Sequence, residues 1–210
     1  MKEIILDTET TGLSVRDGHR IVEIGCIELN DLIPTQNSFH CYLNPERKVS
    51  EKALEVHGYT DEFLSTQKKF SEVVDEFLNF IENKRLVIHN AEFDLSHLNN
   101  ELTLLGKKKL NTENSIDTLA LARDKFPGSP ISLDALCKRY RVDNSKRTQH
   151  TALIELSTRY LLHKASRLNG EPGNLSLAKA RVSTALSLSN FFFPNNASSL
   201  FKCDRSNSAL

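Results

Sequence analysis

Asp7 and Glu9 fall where a strand should stay apolar. In "ILDTETTGL" (residues 5–13) they follow the run Ile4-Ile5-Leu6, ahead of a turn-forming Gly12. Residues two apart on a strand share a face, roughly 6.5 Å from each other at the usual rise. Two carboxylates so placed repel each other and are costly to bury, and a cation between them removes both problems. A third acid, Asp94 in "VIHNAEFDLSHL", follows a short apolar run, Leu86–Ile88, and a turn at His89-Asn90. The helix that starts there holds Asp94 in or near its first turn. If both strands share a sheet, the helix start reaches the Asp7–Glu9 edge, and ligands of open α/β sheets gather at such strand ends. Complementing the helix dipole would account for Asp94 equally well on spacing alone.

"QHTALIEL" adds His150 and Glu155. Five residues on one helix are separated by roughly 140° around its axis, so the two converge only if His150 sits on the loop just before the helix. The polar "VDNSKRTQ" (142–149) suits that loop. Three or four carboxylates with one histidine have a natural job. Hard oxygen ligands suit Mg²⁺ or Mn²⁺. Two such ions roughly 4 Å apart clamp a phosphodiester, one activating water and the other stabilising the leaving oxygen. A histidine of near-neutral pKa takes the proton of the attacking water. The residues therefore point to metal-assisted phosphoryl chemistry.

The elements that must position these groups alternate along the chain. "DGHRIVEIGCIEL" reads as a turn and a second strand, antiparallel to the first, and "SFHCYLNP" (38–45) as a third, stopped by Pro45. "SEKALEVHGYT" forms a short helix ending near Gly58, and "SEVVDEFLNFIENK" (71–84) has helical apolar spacing. "RLVIHN" is a short buried strand, followed by a helix from Ala91 that Gly106 closes. "IDTLALARDKF" and "SLDALCKRY" are further helices, with Asp117 and Ser132 as caps, and 150–165 is the last. The order predicts an α/β fold with a mixed sheet covered by helices. From residue 166 the chain turns weakly patterned and rich in Ser, Asn, Leu and Ala, which divides it into a domain, 1–165, and a tail, 166–210. Within that tail "NFFFP" (190–194) reads equally as a docking element or as a segment folded back on the domain.

At 39% hydrophobic and 26% charged, the chain has an ordinary globular composition. No apolar run approaches the roughly 20 residues of a membrane span, and the early acid of "MKEIILDTE" shows no signal-peptide pattern, so a cytoplasmic protein is expected. Its 27 basic and 27 acidic residues cancel, which predicts no bulk attraction to nucleic acid. Local basic clusters remain at Lys107-Lys108-Lys109 and over Lys138–Arg147. Four scattered cysteines, Cys26, Cys41, Cys137 and Cys203, lack zinc spacing and read as reduced buried thiols.

The ordered set "LDTETTG", "HRIVEIG", "VHGYTDEFL", "VIHNAEFDL", "SLDALCKRY" and "DNSKRTQHTAL" strongly resembles the DnaQ-like exonucleases with a DEDDh site. Within that family it resembles the epsilon proofreading 3′–5′ exonucleases of bacterial DNA polymerase III, from residue 2 to about 163. The resemblance implies an RNase H-like fold, two divalent metal ions (Mg²⁺ or Mn²⁺), a DNA 3′ end as substrate and a polymerase subunit as partner. It implies Asp7, Glu9, Asp94 and Glu155 as metal ligands and His150 as general base. It further implies Asp7, Glu9, Thr10, His57 and Glu155 as substrate contacts, with Asn90 shaping the turn before Asp94.

Two positions depart from the family pattern. Glu155 stands where the family has aspartate, and Thr151 where it often has glycine. The extra methylene moves a carboxylate by about 1 Å, a misplacement that can cost roughly 100-fold in rate. The tail carries no recognised family motif. Alternatives left open are RNA 3′-end trimming, which requires 2′-OH contacts, and a replicase scaffolding subunit whose catalysis has faded.

Overall fold

The computed structural model describes residues 2–140 together with Arg159 and His163. His150, Thr151, Glu155 and the tail from 166 lie outside the described residues. Strand β1 (Lys2–Thr10) pairs antiparallel with β2 (Ile21–Asn30), and β2 pairs antiparallel with β3 (Ile33–Tyr42). Helices α1 (Glu51–His57), α2 (Asp61–Ser65) and α3 (Phe70–Ile81) follow. Strand β4 (Arg85–Ile88) then lies parallel to β1, and helix α4 (Ala91–Leu104) leaves its end. The short β5 (Ser115–Asp117) adds parallel to β4, before α5 (Thr118–Lys125) and α6 (Leu133–Tyr140). The sheet order is β3-β2-β1-β4-β5, the mixed sheet that the sequence predicts.

β1 sits in the centre and is buried on both faces. Ile4 and Leu6, with Ile24, Cys26, Leu86 and Ile88, form one core with the apolar stripes of α3 (Val73, Val74, Phe77, Ile81) and α4 (Leu95, Leu98, Leu102). By register, Glu3, Ile5, Asp7 and Glu9 share the opposite face with Ile27, Gly25, Glu23 and Val87. This central position explains why a strand bearing acids is still inaccessible: Glu3 and Asp7 are each 2% exposed.

The element boundaries depart from expectation where turn chemistry intervenes. β3 starts at Ile33, five residues before the predicted strand, because Asp31 (φ 49) and Leu32 (φ 63) close a two-residue hairpin between Asn30 and Ile33. Such a loop demands positive φ at both positions, normally met by Asn or Gly, so Asp-Leu gave no signal. Pro34 is tolerated because β3 is an edge strand. Helix α3 stops at Ile81 rather than at residue 84, and Asn83 adopts φ 57 before β4 begins. α1 ends as read, with Gly58 left-handed at φ 77.

Candidate functional site

The described acids gather at the C-terminal end of β1. Where β1's pairing with β4 ceases, after Ile5–Val87, the Thr8 backbone N–H is left for another partner. It donates to Asp94 Oδ1 at 3.0 Å, and the Thr8 hydroxyl donates to the same oxygen at 2.8 Å. Asp94 lies in the first turn of α4, as predicted, and is 2% exposed. Burial raises its pKa to about 6, partly offset by the Arg159 charge and the Thr8 hydrogen bonds. The helix dipole alone does not explain an acid buried against another strand and bonded twice to it.

Asn90 shapes the turn as expected, in left-handed conformation (φ 65, ψ 57), while its backbone N–H donates to Asp117 Oδ1 at 3.0 Å. Asp117 therefore does more than cap. It accepts from Leu119 N–H at the start of α5 and simultaneously ties that helix to the start of α4. A bidentate pair, Arg20 Nε and Nη2 to Glu101 at 2.6 and 2.7 Å, fixes the last turn of α4 to the start of β2.

Asp7 lies on the opposite sheet face from α4. Across the β1–β2 ladder it faces Gly25, which has no side chain to crowd it. Its cation is within the chain: Arg159 Nη2 meets Asp7 Oδ1 at 2.5 Å. Arg159 Nη1 also donates to the His89 carbonyl at 3.3 Å, at the end of β4. No sequence signal marks this pairing, because a basic residue in a helix pattern reads as a solvated surface group.

Glu9 faces Glu23 directly across the ladder. Like charges so placed destabilise a sheet unless one is neutralised. Glu23, fully buried, holds a contact to His40 Nε2 at 2.7 Å and accepts from the Tyr59 hydroxyl at 2.8 Å. Tyr59 stacks on His57 with ring centroids 4.8 Å apart, and its N–H donates to His57 Nδ1 at 3.0 Å. That bond makes Nδ1 the acceptor and leaves Nε2 to carry the proton of the neutral ring. Burial lowers the His57 pKa, against the upward pull of the Thr10 carbonyl and Glu23. Glu23, His40 and Tyr59 thus form a buried support that the strand pattern concealed, since β2 is buried on both faces.

Glu9, Thr10 and His57 line one cavity of about 620 Å³ with Leu13, Ser14, Lys52, Val56 and Phe93. Its rim is apolar and open to solvent: Leu13 is 82% exposed and Val56 43%. Gly12 is required beneath it, because a Cβ there would lie 2.4 Å from the His19 ring. That ring meets the Thr11 hydroxyl at 2.9 Å, and the same hydroxyl accepts from Arg20 N–H. The structure thus brings Asp7, Glu9, Thr10, His57 and Asp94 to one end of the sheet. Among the described residues no three acid, histidine or cysteine side chains close around a single point that would hold an ion. The donors are nevertheless hard carboxylate oxygens, the type that Mg²⁺ and Mn²⁺ take.

The family model described as "Exonuclease" matches residues 4–154. Over 156 residues the chain is 53% identical to the DNA polymerase III subunit epsilon of Rickettsia felis, spanning 73% of this chain and 68% of that one. It is 48% identical over 161 residues to the subunit of the same name from Escherichia coli K12, spanning 73% and 66%. The chain belongs to the epsilon exonucleases. It is therefore a 3′–5′ exonuclease of the proofreading type. The fold agrees: the nuclease domain of 3′hExo, a DEDDh family member, superposes with a TM-score of 0.64 at 18% identity, covering 80% of this chain and 90% of that one. Escherichia coli Exonuclease I in complex with a dT13 oligonucleotide gives 0.68 at 14% identity, covering 89% and 45%. The RNase H-like architecture expected for this epsilon-type exonuclease is thereby established. No helix among its described residues is long and apolar enough to cross a membrane.

Proposed function

We propose that this exonuclease removes mismatched 3′-terminal nucleotides from DNA, releasing nucleoside monophosphates, as the cytoplasmic proofreading partner of a bacterial polymerase subunit. The observation that carries the reading is the convergence at one strand end. Asp94 is fastened to Thr8, Asp7 and Glu9 flank that residue, and a cavity with Thr10 and His57 opens beside them. Asp7, Glu9, Asp94 and Glu155 would hold two divalent ions, Mg²⁺ or Mn²⁺, which when bound neutralise charge on the phosphodiester and activate water.

The chain's own residues supply the rest. Leu13, Val56 and Phe93 offer apolar surface to a terminal base or sugar, and the stacked His57–Tyr59 pair holds Nε2–H as a donor. Thr10, whose hydroxyl donates to the Gly12 carbonyl at 2.8 Å, keeps the turn beside the cavity closed. His150 takes the proton of the attacking water. Selectivity follows from fraying, since a mispaired end separates more readily and enters single-stranded. Residues 1–165 form the nuclease domain, and the tail 166–210 carries contacts to the polymerase subunit.

The test is release of monophosphate from a 3′-mismatched primer duplex with Mg²⁺, Mn²⁺ or EDTA, beside an Asp7→Ala variant. Metal-dependent release that falls by about three orders of magnitude or more in the variant is expected, the several kcal/mol a catalytic metal site supplies. Normal cleavage by Asp7→Ala would refute the site assignment. No release with either ion from folded wild-type protein would favour the scaffolding alternative, and preference for a ribonucleotide end would favour RNA trimming.

A further inference from the structure

A single guanidinium ties together the groups expected to bind metal. Arg159 Nη2 pairs with Asp7 on β1, and Nη1 donates to the His89 carbonyl at the end of β4. Its charge is the strongest influence favouring the ionised form of Asp94 on α4. The side chain is only 12% exposed, against 3% for Asp7. A buried arginine so placed does electrostatically what a bound cation would do: it neutralises crowded carboxylates that could not otherwise remain ionised.

We propose that Arg159 is an internal counter-cation that competes with metal for Asp7, so that metal entry requires its guanidinium to withdraw. The inference rests on the metal-dependent reading above. A divalent ion taking Asp7 as an inner ligand would have to share that buried carboxylate with the guanidinium, and the two cations repel at that distance. In the metal-free protein Arg159 keeps the strand end folded. Metal binding is coupled to its release, and the apparent metal affinity is reduced by the fraction of molecules in which the pair is closed.

Mn²⁺ binding to the full chain, followed by electron paramagnetic resonance, separates the possibilities for wild type, Arg159→Met and Arg159→Lys. Arg159→Met should bind Mn²⁺ about tenfold tighter or more, the scale of a typical coupling free energy. Its melting temperature should fall in EDTA and recover more on Mn²⁺ addition than the wild type gains. Arg159→Lys, which keeps the charge but not the fork, should lie between. In case the methionine variant does not fold, the wild-type Arg159 Nε–H NMR resonance provides an independent readout. It should be protected from exchange in EDTA and lose that protection on Mg²⁺ addition. Unchanged or weaker Mn²⁺ affinity in folded Arg159→Met, or an Nε–H signal unmoved at saturating Mg²⁺, would overturn the proposal while leaving the nuclease reading intact. Absence of binding by both wild type and variant would overturn both.

Discussion

Glu28 and Asp94 are both almost wholly buried carboxylates, at opposite ends of the sheet, and their acidities are displaced in opposite directions. At Glu28 burial pushes the pKa up, but hydrogen bonds from Asn37, Lys84, Thr35 and Lys2 outweigh it and hold the group at about 2. Lys2 and Lys84 approach one oxygen at 3.3 and 3.1 Å, and Thr35 and Asn37 donate to the other at 3.0 and 2.9 Å. At Asp94 burial dominates and lifts the group to about 6, since its neighbours include one cation and a single residue donating twice. A carboxylate with a surplus of donors is an anchor. One with a deficit is poised to accept a further cation, and that contrast separates the structural end of the sheet from the chemical end.

The contrast predicts opposite pH dependences. Asp94 has a folded pKa raised above its ordinary 3.8, so the stability it contributes is complete below that value and is lost as the pH rises through about 6. In EDTA, wild type should lose about 2 kcal/mol relative to Asp94→Asn between pH 4 and 7, most of the worth of a pKa raised from 3.8 to about 6. Urea unfolding across that range measures it, and Mg²⁺ should shrink the slope by favouring the ionised form. A difference curve that stays flat would mean that the acid is not short of compensation. His57 and His97, whose pKa values burial lowers, act the other way below about 6.5, so the comparison must be with the variant and not with the raw curve.

Glu28 supplies the second break. Its folded pKa is depressed, so its stability contribution is present above the ordinary 4.5 and disappears as the pH falls through about 2. Glu28→Gln should cost about 2 kcal/mol at pH 7, as expected for hydrogen bonds to a charged group, with the difference vanishing in acid. Nuclease turnover per folded molecule should be unchanged. A large loss of turnover would erase the distinction between the two ends.

The smallest effect belongs to the intermediate case, Glu23, with His40 and Tyr59 as partners and Glu9 opposite. Tyr59→Phe removes one donor and should cost about 1 kcal/mol in thermal unfolding. Because Tyr59 also braces His57, KM should rise more than kcat falls. An equal fall in kcat with KM unchanged would show that Glu23 acts on the reacting groups and not through the cavity wall.

What could be read beforehand was local. The apolar run before Asp7, the turn before Asp94, Ser132 and Asp117 as caps and Gly58 after His57 each depend on a few neighbouring residues. The missing parts depend on distance or brevity. β5 has three residues, too few to show a period. Glu23 lies on a strand buried on both faces, and its partners His40 and Tyr59 come from elsewhere in the chain. Arg159 acquires meaning only when the far end of the chain lies against β1. No local pattern in "LSTRYLL" distinguishes it from a surface arginine.

β1 is gripped twice from that far end, for Arg159 meets Asp7 and His163, one helical turn on, meets Glu3 Oε2 at 3.0 Å, 160 positions away in the chain. On the ribosome the first strand is complete long before either partner has been made. At roughly 5–20 residues per second, the two acids must wait about 8–30 s for their partners. The nascent chain therefore exposes an unneutralised half-site until Arg159 has emerged.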